Sequence, residues 1–265
     1  MSDPLFDIRE KVTLVSGGSR GIGKALARGF AERGARVIIT GRDENSLAAA
    51  TEEISTPECA VEALVCDVAD LDAIRRTVDH VHATHGRIDV LLSVAGVNIR
   101  QSSLEFTEEQ YDFVLDINLK GAFFIAQEVG RKMVEQGSGS IVNVDSLNTY
   151  APVKNVLPYA MSKNGVVMMT RGLALEWGPK GVRVNTIAPG FILTDLTRKL
   201  WSDPTMREWG ETNTPLGRMG EVDDLVGAAV FLASEASAFM SGQVVRVDGG
   251  FTAGLNWPIP SDGGQ

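Results

Sequence analysis

The stretch Val12-Thr13-Leu14-Val15-Ser16-Gly17-Gly18-Ser19-Arg20-Gly21-Ile22-Gly23 decides the fold. Its first half is short, apolar and rich in valine, the pattern of a strand buried on both faces. Its second half gathers four glycines directly ahead of a helical pattern at 22–33. Glycine is needed where a backbone turns sharply and comes close to a pyrophosphate, whose charge then rests at a helix N-terminus. The spacing here is Gly-x-x-x-Gly-x-Gly rather than the commoner Gly-x-Gly-x-x-Gly. Alone, such a cluster is a weak signal, because glycine also serves turns and close packing. Its place between a strand and a helix gives it weight.

The same rhythm continues outward. Strand-like runs fall at 12–16, 36–40, 61–66, 88–94, 140–144, 183–188 and 244–247. Helical patterns fill 22–33, 43–55, 70–85, 107–135, 157–177 and 221–234. Gly34, Gly86, Gly137 and Gly181 stand where helices should stop, as left-handed caps require. This alternation predicts an α/β fold: a doubly wound, seven-stranded parallel sheet flanked by helices, in a single domain over 1–265. Two segments depart from the rhythm. Residues 189–220 carry Pro189, Gly190, Pro204, Pro215 and Gly217 around a helical patch with Trp201 and Trp209, and read as a substrate lid. The Gly- and Pro-rich tail at 249–265, with Trp257, either frays or docks on a neighbouring subunit.

Composition excludes several classes. A formal charge of −9 disfavours nucleic acid, which needs a basic face. No apolar run reaches membrane-spanning length, and the first residues lack a signal-peptide pattern, so a cytoplasmic protein is expected. Cys59 and Cys66 read as small buried thiols rather than a disulfide or metal pair. His80, His82 and His85 read as solvated helix residues, and no metal is expected.

The chemistry concentrates in Tyr159-Ala160-Met161-Ser162-Lys163. Residues four apart share a helix face, so phenol and ammonium address one substrate. An adjacent ammonium favours the phenolate, which predicts a lowered tyrosine pKa. The motif in isolation is common, and a plain surface pair is the ordinary explanation.

Together with Ser146 thirteen residues before the tyrosine, Asn118 in Leu115-Asp116-Ile117-Asn118, Asn185 ahead of Pro189-Gly190, and Asp248-Gly249-Gly250, these motifs resemble the short-chain dehydrogenase/reductase family. The resemblance runs from about Glu10 to Gly250. It implies that Tyr159 is the general acid/base and that Ser146 bonds the reacting oxygen. It also implies that Lys163 binds the nicotinamide ribose, while Asn118 holds a water for proton relay. The cofactor cleft implied by it comprises Gly17, Ser19, Arg20, Gly21, Ile22, Gly23, Arg42, Asp67, Val68, Ala95, Gly96, Pro189, Gly190, Ile192 and Thr194, besides Tyr159 and Lys163. Asp67 would meet the adenine; Ile192 and Thr194 would hold the carboxamide. Within the family, 95–100, 173–177 and 214–220 are similar to gluconate 5-dehydrogenase and related sugar-acid or polyol dehydrogenases.

Departures from the family pattern are informative. Ser93-Val94-Ala95-Gly96 replaces the usual Asn-Asn-Ala-Gly, removing two amides that brace the loop. Asp145 stands before the serine where a small neutral residue is common; it either meets a substrate or, more plainly, bonds the backbone. For the substrate, Asn98, Arg100, Asn148 and Trp201 are candidates. Arg100 either grips a carboxylate or is an exposed loop arginine.

Cofactor choice turns on the second strand. Gly41 occupies the position where NAD-specific relatives carry an acid, and Arg42 follows. Arg42 and Arg20 would grip a 2′-phosphate, so NADP(H) is expected over NAD(H). NAD(H) stays possible if Arg42 stacks on adenine, and Asp43 stands close enough to blunt the preference. The apolar surplus on 157–177 implies a second buried interface, and the family resemblance implies a homotetramer.

The expected function is therefore an NADP(H)-dependent oxidoreductase interconverting a secondary alcohol and a ketone on a small polar molecule. One alternative is a 3-oxoacyl-carrier-protein reductase, which would show a basic docking patch for its acidic partner. Another is a non-catalytic nucleotide-binding regulator, which would have no chemical need for Tyr159.

Overall fold

The computed structural model describes residues 3–56 and 59–255. Most of the tail, Trp257 included, thus lies outside the described residues. Seven parallel strands lie in the order β3-β2-β1-β4-β5-β6-β7. They are β1 Val12–Ser16, β2 Arg36–Gly41, β3 Glu62–Val65, β4 Val90–Ser93, β5 Gly139–Val144, β6 Val182–Pro189 and β7 Val244–Val247. The chain starts in the middle, winds outward to β3, then returns across β1 and winds the other way. The strand order reverses between β1 and β4, which opens a crevice at their C-terminal ends.

The unbroken apolar strands have the expected cause. Val15, Val37 and Ile39 face one core with Leu26, Phe30, Leu47 and Leu232. Leu14 and Ile38 face the opposite core with Val78, Val81, Ile125 and Val129. The first face is covered by α1 Gly21–Ala31, α2 Glu44–Ile54 and, near the C-terminus, Val226–Ala233. The second is covered by α3 Leu71–His85, by a helix at Ala122–Gln136 and by part of a helix at Leu157–Trp177. Gly34, Gly86, Gly137 and Gly181 all take positive φ, between 70° and 80°, as their capping role demands.

Three expectations need correction. The single helix foreseen at 107–135 is divided: α4 Glu108–Leu115 and α5 Ala122–Gln136 flank a π-helical turn, Asp116–Gly121. A bulge of this kind re-aims side chains, and Asn118 lies in it. The fourth strand is shorter than 88–94, because Val94 and Ala95 leave the sheet to bond Ser16. His80 and His85 are not merely solvated, since β3 supplies Glu62 to both at 3.0 Å.

After the sixth helix, α6 Leu157–Trp177, and β6, residues 189–220 fold back as two short helices, α7 Asp195–Trp201 and α8 Pro204–Asn213. A bridge between Ile192 and Gly220 ties off their base. The last helix, α9 Val226–Ala233, then leads to β7. No described helix is long and apolar enough to cross a membrane.

Candidate active site

The glycine loop leaves β1 and turns into α1 in a space with no room for side chains. Gly17 has φ +80°, and a Cβ there would lie 2.8 Å from the Ala95 backbone. A Cβ on Gly23 would lie 2.0 Å from the Gly17 carbonyl. Arg20 is the N-cap of α1 and makes no side-chain cap bond, so the first amides keep their donors for an anion. The missing asparagines are compensated by backbone. The Ser16 carbonyl accepts from Val94 and Ala95 at 3.0 and 2.9 Å.

A cleft runs over this loop. Its walls hold Gly17, Ser19, Arg20, Gly21, Ile22, Gly23, Arg42, Asp67, Val68, Ala95, Gly96 and Thr194, all of them expected. Gly41, Cys66, Val97, Ile117 and Asp195 also line it and were missed. The first of these had a signal, a glycine closing β2; the others follow from the path of the crevice. Arg20 and Arg42 are exposed, whereas Asp43 is turned away to cap α2 by accepting from the Ser46 amide at 2.7 Å. The cap engages Oδ1 while the carboxylate keeps its charge. Cys66 is a buried free thiol, and burial pushes its pKa up.

The cleft continues into a second cavity through shared walls at Ile22, Val94, Gly96, Val97 and Thr194. Here Ser146, Tyr159 and Lys163 meet Pro189, Gly190 and Ile192, with Val144, Asp145 and Thr197 beside them. β5 ends immediately before this point, and α6 starts with Pro158 in its first turn, so both elements deliver their chemistry to the same crevice. The Ser146 hydroxyl oxygen accepts from the Asn148 amide at 3.2 Å and from Asn148 Nδ2 at 3.1 Å. With two donors directed at its oxygen, the serine keeps its proton for a third partner. Lys163 is almost fully buried and donates from Nζ to the Val144 carbonyl at 2.7 Å. Its ammonium lies 5.7 Å from the Tyr159 ring centre.

Asn118 does not face this cavity directly. Its Oδ1 accepts from the Val97 amide, and its Nδ2 donates to the Val97 carbonyl and to Ser162 Oγ. The side chain is a clamp, occupied on both ends.

The electrostatics revise one expectation. Tyr159 keeps an edge on the cavity, but its hydroxyl sits deep among protein atoms, and burial pushes it up to about 12. The Ser146 hydroxyl and the Arg100 charge pull against that shift without overcoming it. Burial likewise lowers Lys163 to about 8. Among protein groups alone, then, the lysine does not draw the phenol down. Asp145 behaves in the opposite sense to an ordinary carboxylate, pushed up to about 6 by burial. Its Oδ1 accepts from Thr149 Oγ1 at 2.7 Å, and the Ser146 backbone amide also bonds the carboxylate, in line with the plainer of the two expectations.

The remaining candidates are dispersed. Asn98 is half-buried with an unpartnered Oδ1, and Arg100 is exposed beyond it. Asn148 sits under Ser146, its Oδ1 taken by the Val153 amide at 2.9 Å. Trp201 is buried within the 189–220 segment, edge-on to Phe191 at 5.0 Å, and lines neither cavity. Among the described residues no three His, Cys, Asp or Glu side chains converge as a metal site.

A family model described as enoyl-(acyl carrier protein) reductase matches residues 17–252. The chain belongs to the short-chain dehydrogenase/reductase family. It is an oxidoreductase of CH–OH and carbonyl groups. It is 40% identical to gluconate 5-dehydrogenase of Gluconobacter oxydans, over 96% of this chain and 100% of that one. D-threitol dehydrogenase of Mycolicibacterium smegmatis is 39% identical over 93% of this chain and 95% of its own. The crystal structure of a gluconate 5-dehydrogenase from Burkholderia cenocepacia in complex with NADP and tartrate superposes with a TM-score of 0.91 at 37% identity. It covers 95% of this chain and 99% of that one.

Proposed function

We propose that this protein reduces a ketone, or oxidises the matching secondary alcohol, on a small polyhydroxy compound such as a sugar acid or polyol, with NADP(H) as the preferred cofactor. One observation carries the reading: the wall formed by Ser146, Tyr159 and Lys163 opens into the glycine-loop cleft through shared residues. The relatives acting on gluconate and threitol support the substrate class.

The cleft fits a dinucleotide. Gly17 and Gly23 let the loop pack tightly on Ala95 and on its own Gly17 carbonyl as it turns into α1, and the uncapped α1 terminus offers donors to a pyrophosphate. Arg20 and Arg42 would take the 2′-phosphate, Asp67 and Val68 would border the adenine, and Ala95 and Gly96 would admit the backbone's close approach. Pro189, Gly190, Ile192 and Thr194 would border the nicotinamide, which supplies the hydride when bound. Lys163 would bond its ribose.

The chain's own residues manage the oxygen and the proton. Ser146 donates its free O–H to the substrate oxygen, where negative charge develops. Tyr159, held protonated by burial, donates the proton in reduction; in oxidation it accepts the alcohol proton only after its own has been released to solvent. Asn118 keeps the loop after β4 in place, with both ends of its side-chain amide engaged. The free thiols suit a reducing compartment such as the cytoplasm. Met161, Met168 and Leu175, exposed along one α6 stripe, supply the face for a homotetramer.

Tyr159→Phe tests the reading. Turnover should fall by about 10²- to 10⁴-fold while NADPH still titrates the protein; a variant near parental rate refutes it.

A further inference from the structure

Asp145 is the one charged group of the reaction cavity that this chemistry leaves unused. β5 delivers it directly before Ser146, and its amide extends the ladder to the Ile187 carbonyl at 2.8 Å. The residue is 2% exposed and shares its wall with Ser146, Tyr159 and Lys163. Its Oδ1 accepts from Thr149 Oγ1 at 2.7 Å. Its Oδ2 is fully buried and has no hydrogen-bond partner. Lys163 attracts it, but that ammonium is bonded to the Val144 carbonyl instead. Leaving a buried carboxylate oxygen without a donor costs stability, and a small neutral residue there would avoid the cost. A ligand O–H removes the deficit. Asp145 lines the same cavity in which a substrate's reacting oxygen would meet Ser146 and Tyr159, so a group beside the reacting carbon shares that space with it.

We propose that Asp145 is a specificity-determining residue whose free Oδ2 accepts a hydrogen bond from a hydroxyl on the carbon beside the reacting one. The site thereby selects α-hydroxy ketones and vicinal diols. This inference rests on the proposed role of the cavity in carbonyl reduction. It also separates the two substrate classes. A carboxylate directly beside the reacting carbon meets the Asp145 charge and is repelled, so a sugar acid must enter with its carboxylate remote from that carbon. The carboxyl's pKa near 6 keeps it mainly ionised at neutral pH and above, as an acceptor must be.

The test measures NADPH-dependent reduction of 3-hydroxy-2-butanone, 2-butanone and 2-oxobutanoate by the parent, Asp145→Ala and Asp145→Asn. The parent should prefer the hydroxy ketone over the plain ketone. That ratio of kcat/KM should fall about tenfold or more in Asp145→Ala, the worth of one lost hydrogen bond to a charge. Asp145→Asn, which keeps the shape and an acceptor, should retain part of the ratio and should narrow the discrimination against 2-oxobutanoate. If Asp145→Ala does not fold, the Asn variant decides by the same two ratios. A parent that treats the two ketones alike, or ratios unmoved by the substitutions, overturns the proposal. Tyr159→Phe on the same ketones separates the two readings: retained reduction there defeats the proposed function whatever Asp145 does. A parent that reduces none of them overturns both.

Discussion

The side chain of Asn118 grips both backbone groups of Val97: Oδ1 accepts from its N–H at 2.8 Å, and Nδ2 donates to its carbonyl at 2.9 Å. The π turn at Asp116–Gly121 is what aims the amide this way. Val97 borders both the cofactor cleft and the reaction cavity, so the clamp sets their common wall. Asn118→Ala leaves two backbone groups without partners, each worth about 1–3 kcal/mol where it is shielded from water. Denaturant unfolding should show a loss of about 2 kcal/mol, and kcat should fall about 10- to 100-fold through misplacement of the wall. Unchanged stability together with unchanged kcat would show that the clamp does nothing.

Asn148 should act through Ser146. By directing two donors at the serine oxygen, it leaves the hydroxyl proton as the only hydrogen-bonding element free to turn outward. Asn148→Ala removes one of them and frees the hydroxyl to rotate. We expect kcat to drop about tenfold with little change in KM for NADPH, and restoration in Asn148→Gln only if the longer amide still reaches. A drop confined to cofactor KM would place the residue's effect elsewhere.

Much of the fold is legible in the sequence, and the exceptions share a cause. Strands such as Val12–Ser16 announce themselves because burial on both faces is a local property of five consecutive side chains. Gly86 and Gly137 announce helix ends because only glycine is at ease with their φ. By contrast, the break at Asn118 lies inside an uninterrupted helical pattern and is justified only by Val97, twenty-one residues earlier. Trp201 resembles a substrate wall in sequence, but Phe191, itself packed on the sequence-distant Phe251 at 4.6 Å, draws it into the interior of the 189–220 segment. The Tyr159 pKa failed for a related reason. Spacing shows that Lys163 is near, and says nothing of how deeply both are buried.

Asp145 makes stability depend on pH in a direction opposite to most carboxylates. Its pKa rises from an ordinary 3.8 to about 6 on folding, so the native state binds more protons between those values. The stability linked to protonation is complete below about pH 4 and is lost as pH climbs through 6. A shift of two units corresponds to about 3 kcal/mol at most. Asp145→Asn should therefore raise Tm at pH 8, with the gain over the parent shrinking toward pH 4. Parallel Tm–pH curves for the two proteins would contradict the assigned burial cost.

Assembly has its own signature. Met161, Met168 and Leu175 recur every seven residues on α6 and are 46%, 64% and 80% exposed, while Val166, Val167 and Leu173 fill the core side. An exposed apolar stripe of this kind is what the proposed contact between copies would bury. Light scattering at micromolar concentration should give a tetramer for the parent and a smaller species for Met168→Lys/Leu175→Lys. A monomeric parent would remove the interface altogether.

The proposed preference for NADP(H) is tested at the end of β2. Gly41 presents no carboxylate there, and the nearest acid, Asp43, spends its Oδ1 on the Ser46 amide and hydroxyl at the α2 N-terminus. Asp43 keeps its charge beside this edge, so any repulsion of a 2′-phosphate has to be outweighed by the arginines. Arg42 and Arg20 line the same cleft, and neither is held by a carboxylate among the described residues, so both guanidiniums are free to close on an anion. A charge-assisted bond contributes about 1.5–3 kcal/mol, or roughly 10- to 100-fold in affinity. The kcat/KM ratio of NADPH to NADH should thus stand well above one in the parent. Arg42→Ala should cut it by about that factor, chiefly through KM for NADPH. Gly41→Asp, which places an acid at the strand end, should push the ratio below one. A parent that prefers NADH, or an Arg42→Ala variant with the ratio intact, would assign the arginine to stacking on the adenine instead.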